Sequence, residues 1–352
     1  MKSAQFPTKF RVAPAVTLLV LSPVIVEVLF GATRITMLYL LIPQICIYGG
    51  AALIIRTLGR QRGWNGILLL GIAFAIAEEC VILQTSVSPV FFGGDPNHIY
   101  SWRFGVDWIY LLWAVVYECV WAVLLPIQLV ELIFPDRRDN PWLGSRGLVI
   151  TMVLFLLTSV TVWYRFTQVG IAPGKAYEAP FPLVMLALAV IIALGFAAFV
   201  PLKPSRNVKT TTHNVPSPRM VGVVVFGMAL PWFILAILAY AGPATLPAYI
   251  PISLGLAWAV TSLFLIRRWS SNPGWQDIHR LALIIGALVA SMLAGFLIVG
   301  STLSPVDLMS KLVLNVVAVV LLIYLARKIH RRTVSANAVP QPGASQHPPT
   351  ML

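Results

Sequence analysis

The sequence predicts an all-α protein, a polytopic transmembrane helix bundle of about ten helices with both termini in the cytoplasm. Three observations carry this reading. Apolar residues make up 59% of the chain and charged ones 11%, with a mean hydropathy of +0.86, too oily for a soluble domain. Ten apolar stretches, each near the ~20 residues that cross a ~30 Å hydrocarbon core at ~1.5 Å per residue, are separated by short polar loops. With the N-terminus inside, twenty of the 25 Lys and Arg fall on inner segments, and only Arg34, Arg103, Arg165, Lys175 and Lys311 on outer ones. That asymmetry is a topology signal. A nucleic-acid binder would gather the net charge of +13 on one soluble face, so that class is excluded as a partner.

The ten helices are expected at roughly 13–33, 36–55, 66–90, 107–134, 148–168, 181–201, 220–241, 249–266, 281–303 and 309–326. The first is read as a membrane helix and not a cleaved signal, because it contains Glu27 and lacks a small-residue cleavage site. Pro23, Pro43 and Pro126 fall inside the first, second and fourth helices, where each removes a backbone bond and favours a kink. The outer loop GGDPNHIYSWRFGV at 93–106 carries turn chemistry; its Asp95 and His98 are two metal-ligand types three apart, and a solvated loop is the better reading. The inner loop PDRRDNPWLGSRG at 135–147 reads as a headgroup anchor. From 148 onward the helices are plain, with Ser and Thr that bond to their own backbone. The polar segment 202–219 is the one candidate linker, and 333–352, rich in Pro, Ala and Ser, is expected to be disordered. This divides the chain into 1–147, with the first four helices, 148–332, with the other six, and the tail. The second half offers no counterpart of the acids of the first, so an inverted repeat is not supported.

Those acids are the candidate site. In GILLLGIAFAIAEECVILQTSVSPVFF, Glu78 and Glu79 fall twelve and thirteen residues after Gly66, near the midplane of the expected helix. Glu27 on the first helix and Glu118 on the fourth are expected at similar depth. An ionisable group there costs at least ~2.5–3.5 kcal/mol, so it faces protein or trapped water and marks a functional site by default. Asp107 and Glu118 are three helical turns apart and share a stripe; with Gln84 and Ser86 this suggests a path from the outer surface. Glu131, one turn from the inner end of its helix, reaches the interface. Cys46, Cys80 and Cys119 lie within helices and read as small apolar fillers.

The runs YGGAALIIR at 48–56, AIAEEC at 75–80 and DWIYLLWAVVYECVWAVLLPIQLVELIFP at 107–135, followed by PWLG, resemble a family of uncharacterised multi-pass bacterial membrane proteins over about the first 145 residues. That resemblance implies an inner-membrane location and no particular activity. The Glu78-Glu79 pair also resembles the CAAX-protease and bacteriocin-processing family of intramembrane glutamate peptidases, in which such a pair, followed by Arg, works with a histidine on a later helix. Glu118 stands about where that histidine would fall. The chain departs at Leu83, in the place of the Arg, and none of its five histidines lies within an expected helix.

Three functions follow as expectations. The first is proton- or cation-coupled transport of an unknown small solute, with Glu27, Glu78, Glu79 and Glu118 holding the proton or cation. The second is a peptidase of the resembled kind, or a relative that has lost catalysis. The third is a membrane scaffold or signalling subunit. An enzyme is the less favoured class, since no residue stands out as catalytic; no cofactor beyond a cation and no metal cluster is expected. The bilayer is the one partner the composition requires.

Overall fold

The computed structural model describes residues 12–170, 175–200, 215–242 and 246–338. It is built from helices, with eight stretches long and apolar enough to cross a membrane and one shorter apolar helix, α1, at Ala13–Val28. The first long stretch, Ile35–Ile82, is folded at 60–63, where Gly63 takes φ +68°, and forms two arms, α2 (residues 35–59) and α3 (residues 63–82). Gly59 lets the arms close on each other: a Cβ there would lie 3.1 Å from the backbone nitrogen of Ile67. The rest are α4 (Trp108–Ile133), α5 (Ser145–Val169), α6 (Phe181–Phe199), α7 (Pro218–Ala241), α8 (Tyr249–Ser270), α9 (Asp277–Ile298) and α10 (Pro305–Ala338). Between α3 and α4, two short strands, β1 (Trp102–Arg103) and β2 (Val106–Asp107), pair antiparallel.

Two helices stop earlier than the hydropathy suggested. The chain leaves α1 at Val28 and passes Gly31 at φ +98°, so residues 29–33 are not helical. It leaves α3 at Ile82, because Gln84 takes a left-handed backbone and two 3₁₀ turns follow at Thr85–Val87 and Pro89–Phe92. This irregular stretch is covered: Gln84, Thr85, Ser86 and Val87 are all buried. Non-helical backbone at such depth needs protein around it. α10, in contrast, runs past Arg332 to Ala338, into the segment expected to be disordered; 339–352 lies outside the described residues, as does most of the candidate linker.

Helices approach most closely where glycine removes the side chain. A Cβ at Gly49 would fall 2.1 Å from the Leu19 carbonyl oxygen, one at Gly286 2.4 Å from that of Gly222, and one at Gly295 1.9 Å from that of Phe30. These contacts seat α1 on α2, α7 on α9 and the stretch just after α1 on α9, as small residues do in lipid, where there is no hydrophobic drive between helices. α4 and α9 form the centre, with 61% of their most apolar windows buried; α5, α6 and α8, at 6%, 11% and 11%, turn most of their surface outward.

Loop contacts sort into two groups. At one end Arg34 donates to Thr302 (3.2 Å), Thr36 to Asp307 (2.9 Å) and the Ala179 amide to Gln84 (2.7 Å). At the other, Arg56 donates to the carbonyls of Arg138 (2.9 Å) and Asn140 (3.1 Å), Arg138 pairs with Asp277 (2.8 Å), and Arg267 bonds Asn65. The loop at 135–144 is therefore tied into the bundle. Trp142 is buried beneath the Arg56 guanidinium, 3.6 Å from its ring centre. Glu131 reaches both Arg56 and Arg60 at 3.6 Å.

Candidate functional site

All four acids lie where an α-helix widens into a π turn. Glu27 is in Val24–Val28, Glu78 and Glu79 in Glu78–Ile82, and Glu118 in Glu118–Leu124; a fourth π turn, Ile45–Gly49, carries Tyr48. Three of these turns adjoin the prolines noted in the sequence. Pro23 precedes the first, Pro43 the one with Tyr48, and Pro126 follows the one with Glu118, so each proline is absorbed by a change of helical pitch. π turns of this kind recur at functional sites.

Tyr48 is the residue that joins the acids. Its hydroxyl lies 2.9 Å from Glu78 Oε1 and 3.2 Å from Glu27 Oε1, linking α1, α2 and α3 through one oxygen. Gly49 makes this possible, since the close approach of α2 to α1 puts Tyr48 against Glu27. The second Glu27 oxygen accepts from Thr33 Oγ1 at 2.9 Å, and Thr33 Oγ1 in turn accepts from Gln44 Nε2 at 2.7 Å. A continuous row of Gln44, Thr33, Glu27, Tyr48 and Glu78 results. Glu79 stays beside the Glu78 carboxyl, and its Oε2 accepts from Thr85 and, at 2.8 Å, from Ser86. Glu118, on the π turn of α4 that packs against that of α1, keeps one buried oxygen without a hydrogen-bond partner, and so does Glu78.

Glu78 and Glu79 stand in the last turn of α3, and Glu27 in the last turn of α1. Both helices present their C-terminal ends, with the partial negative charge of unpaired carbonyls, to the same region. Three carboxyls and two helix ends together make a field that attracts a proton or a cation. The described residues hold no group of three or more His, Cys, Asp or Glu side chains placed to bind a metal ion. Glu27 and Glu78 are thus linked through Tyr48, with Glu79 and Glu118 beside them, and the four do not form a metal-binding cluster.

The three path residues are each engaged locally. Asp107 caps α4, accepting from the Tyr110 amide at 3.0 Å and from the Ser101 hydroxyl. Burial holds its carboxyl above the usual aspartate range, against the pull of those two bonds. Gln84 takes the Ala179 amide, and Ser86 serves Glu79. Asp95 and His98 form an exposed pair at 2.8 Å; the Asn97 amide, and then His98, hold the Asp95 carboxyl below its ordinary range. Of the histidines, His279 accepts from the Gln276 amide at the start of α9, His330 is exposed on α10, and His213 and His347 lie outside the described residues.

Sequence reasoning passed over Tyr48, Thr33, Gln44 and Thr85, uncharged residues with no periodic signal; the Tyr-Gly-Gly step at 48–50 was the visible trace. It also set Lys311 in an outer segment. Lys311 is buried, donating to the Leu29 carbonyl at 2.8 Å and the Met292 carbonyl at 3.2 Å, with its Nζ 4.3 Å from the centre of the Phe296 ring. Compared with family models, curated proteins and solved structures, the chain matches none.

Proposed function

We propose that this chain is a proton- or cation-coupled transporter of a small solute, with Glu27, Glu78, Glu79 and Glu118 as the coupling carboxyls and Tyr48 as their bridge. One observation carries the reading: a single phenolic hydroxyl sits within bonding distance of two carboxyls, buried Glu78 and half-buried Glu27. A phenol has one proton to donate and lone pairs to accept with. It donates to one carboxylate, and its other contact is attractive only when the second carboxyl brings a proton of its own. The pair therefore has a protonation state that changes its geometry, as a coupling site needs. Helix ends and covered irregular backbone beside it match the way transporters build midplane sites.

The topology proposed with it has ten crossings and both termini on the cytoplasmic face of a bacterial inner membrane. With the buried Lys311 set aside, the division of twenty inner to four outer basic residues supports this, as do the two separate groups of loop contacts. Infrared spectroscopy of the full-length protein in liposomes tests the site. The parent should display the carbonyl band of a protonated buried acid that fades as pH rises, and Glu27→Gln and Glu78→Gln should each remove it. Tyr48→Phe should move the midpoint while keeping the band. Carboxyls that show no titration, or variants indistinguishable from the parent, would overturn the reading.

A further inference from the structure

A pocket at the Arg34 end leads toward these acids by a route that the sequence did not suggest. Its rim is half-exposed and includes Arg34, Leu303 and Ser310; its floor is buried and includes Thr33 and Lys311. Thr33 is the point where pocket and carboxyls meet. It lines the pocket, and its hydroxyl donates to Glu27, which Tyr48 connects to Glu78. The same hydroxyl accepts from Gln44 and has one lone pair left for water.

The charges around this route are mixed but ordered. Glu78 on α3 and Glu118 on α4 face Glu27 from within the bundle, along with Tyr48 of α2 and Tyr117 of α4, whose hydroxyl bonds the Val26 carbonyl at 2.6 Å. At the pocket itself stand Lys311 and Arg34, with Asp307 committed to Thr36 and Ser304. No carboxylate pairs with Lys311 among the described residues; two backbone carbonyls hold it. The Lys311 ammonium and the Arg34 guanidinium oppose any free cation, a hydronium as well as a hydrated metal ion, whereas a proton handed from water to hydroxyl moves by exchange of bonds and needs no ion to stand beside Lys311.

Resting on the function proposed above, we infer that this pocket is the aqueous entrance to the buried carboxyls and that the coupling ion it admits is the proton. The step is a relay: a pocket water takes a proton from the water outside as it gives one to Thr33 Oγ1, whose own proton passes to the Glu27 carboxylate, and the hydroxyl then turns back. Lys311 acts as a positioning residue. Through the Leu29 carbonyl it fixes the stretch after α1 that carries Thr33.

Rapid infrared measurement after a pH jump, on the full-length protein in liposomes, decides the matter. Thr33→Val removes a donor to the Glu27 carboxylate and should raise the midpoint; compared at equal distance from each protein's own midpoint, protonation of the Glu27 and Glu78 band should slow by tenfold or more, and Thr33→Ser should restore both rate and midpoint. Ser310→Trp, which fills the rim and leaves Thr33 intact, should slow it as well. Replacing choline by sodium at constant pH should leave the band where it was. If the carboxyls titrate but neither Thr33→Val nor Ser310→Trp alters the rate, the entrance is elsewhere. A sodium-dependent band shift overturns the proton as the coupling ion. Carboxyls that never titrate in the parent bring down the function proposed above, and this entrance with it.

Discussion

At the scale of single residues, the chemistry turns on how many protons a buried group holds. Tyr48 has one to share between two carboxyls, whereas Glu79 accepts from two hydroxyl donors, Thr85 and Ser86. Asp107 offers a measurable case outside the membrane helices. Its carboxyl is held above the usual aspartate range by burial, so the folded state keeps the proton more tightly than the unfolded chain does. The stability this contributes is complete below the ordinary aspartate range and is lost as pH rises through the raised value. Asn caps a helix as well as Asp and has no proton to lose. Asp107→Asn should therefore gain apparent melting temperature in detergent relative to the parent as pH climbs from acid to neutral. A difference that stays constant with pH would refute the assignment.

At the scale of elements, the site depends on where helices stop and how nearly they touch. α1 and α3 end inside the bundle, and the backbone beyond each is tied by side chains: Lys311 holds Leu29, and Gln84 takes the amide of Ala179. Gly49 sets the distance between α1 and α2. Even a methyl group there meets the Leu19 carbonyl oxygen at 2.1 Å, while one at Gly195 on α6 meets nothing within 4 Å. Gly49→Ala should cost about 1–3 kcal/mol through overpacking and shift the Tyr48-dependent infrared band. Gly195→Ala should be neutral or stabilise by about 0.5–1 kcal/mol, as alanine does in a helix interior. Thermal denaturation of the two variants side by side checks this, and equal effects would mean that the α1 to α2 contact yields to an added methyl.

At the scale of the whole molecule, polar anchoring differs between the ends. The Arg56 end is stitched by Arg56, Glu131, Arg60, Asp139, Arg138 and Asp277, whereas the Arg34 end has a pocket. Under the proposed topology the pocket faces outward. Single cysteines at Ser301 and Ser271, in a chain with Cys46, Cys80 and Cys119 replaced by Ser, should separate cleanly under an impermeant thiol reagent on intact cells. Ser301→Cys should react and Ser271→Cys should not. The reverse pattern would invert the orientation, and labelling of both would break the alternation of loops.

Much of this was legible in the residues alone. Hydropathy is a property of contiguous segments, so the helical class, the approximate positions of the helices and the alternation of basic loops followed from the chain read in order. The cost of an acid in lipid singled out Glu27, Glu78, Glu79 and Glu118 for the same reason. What only the tertiary structure decided was which of them meet. A bond between helices depends on rotation and register, and both are set by glycine contacts such as Gly49 on Leu19 and by π turns that shift every later residue around its axis. Neither leaves a periodic mark in the sequence. The ends of α1 and α3 within the bundle, the bridge at Tyr48 and the burial of Lys311 were decided there, by packing between segments far apart in the chain.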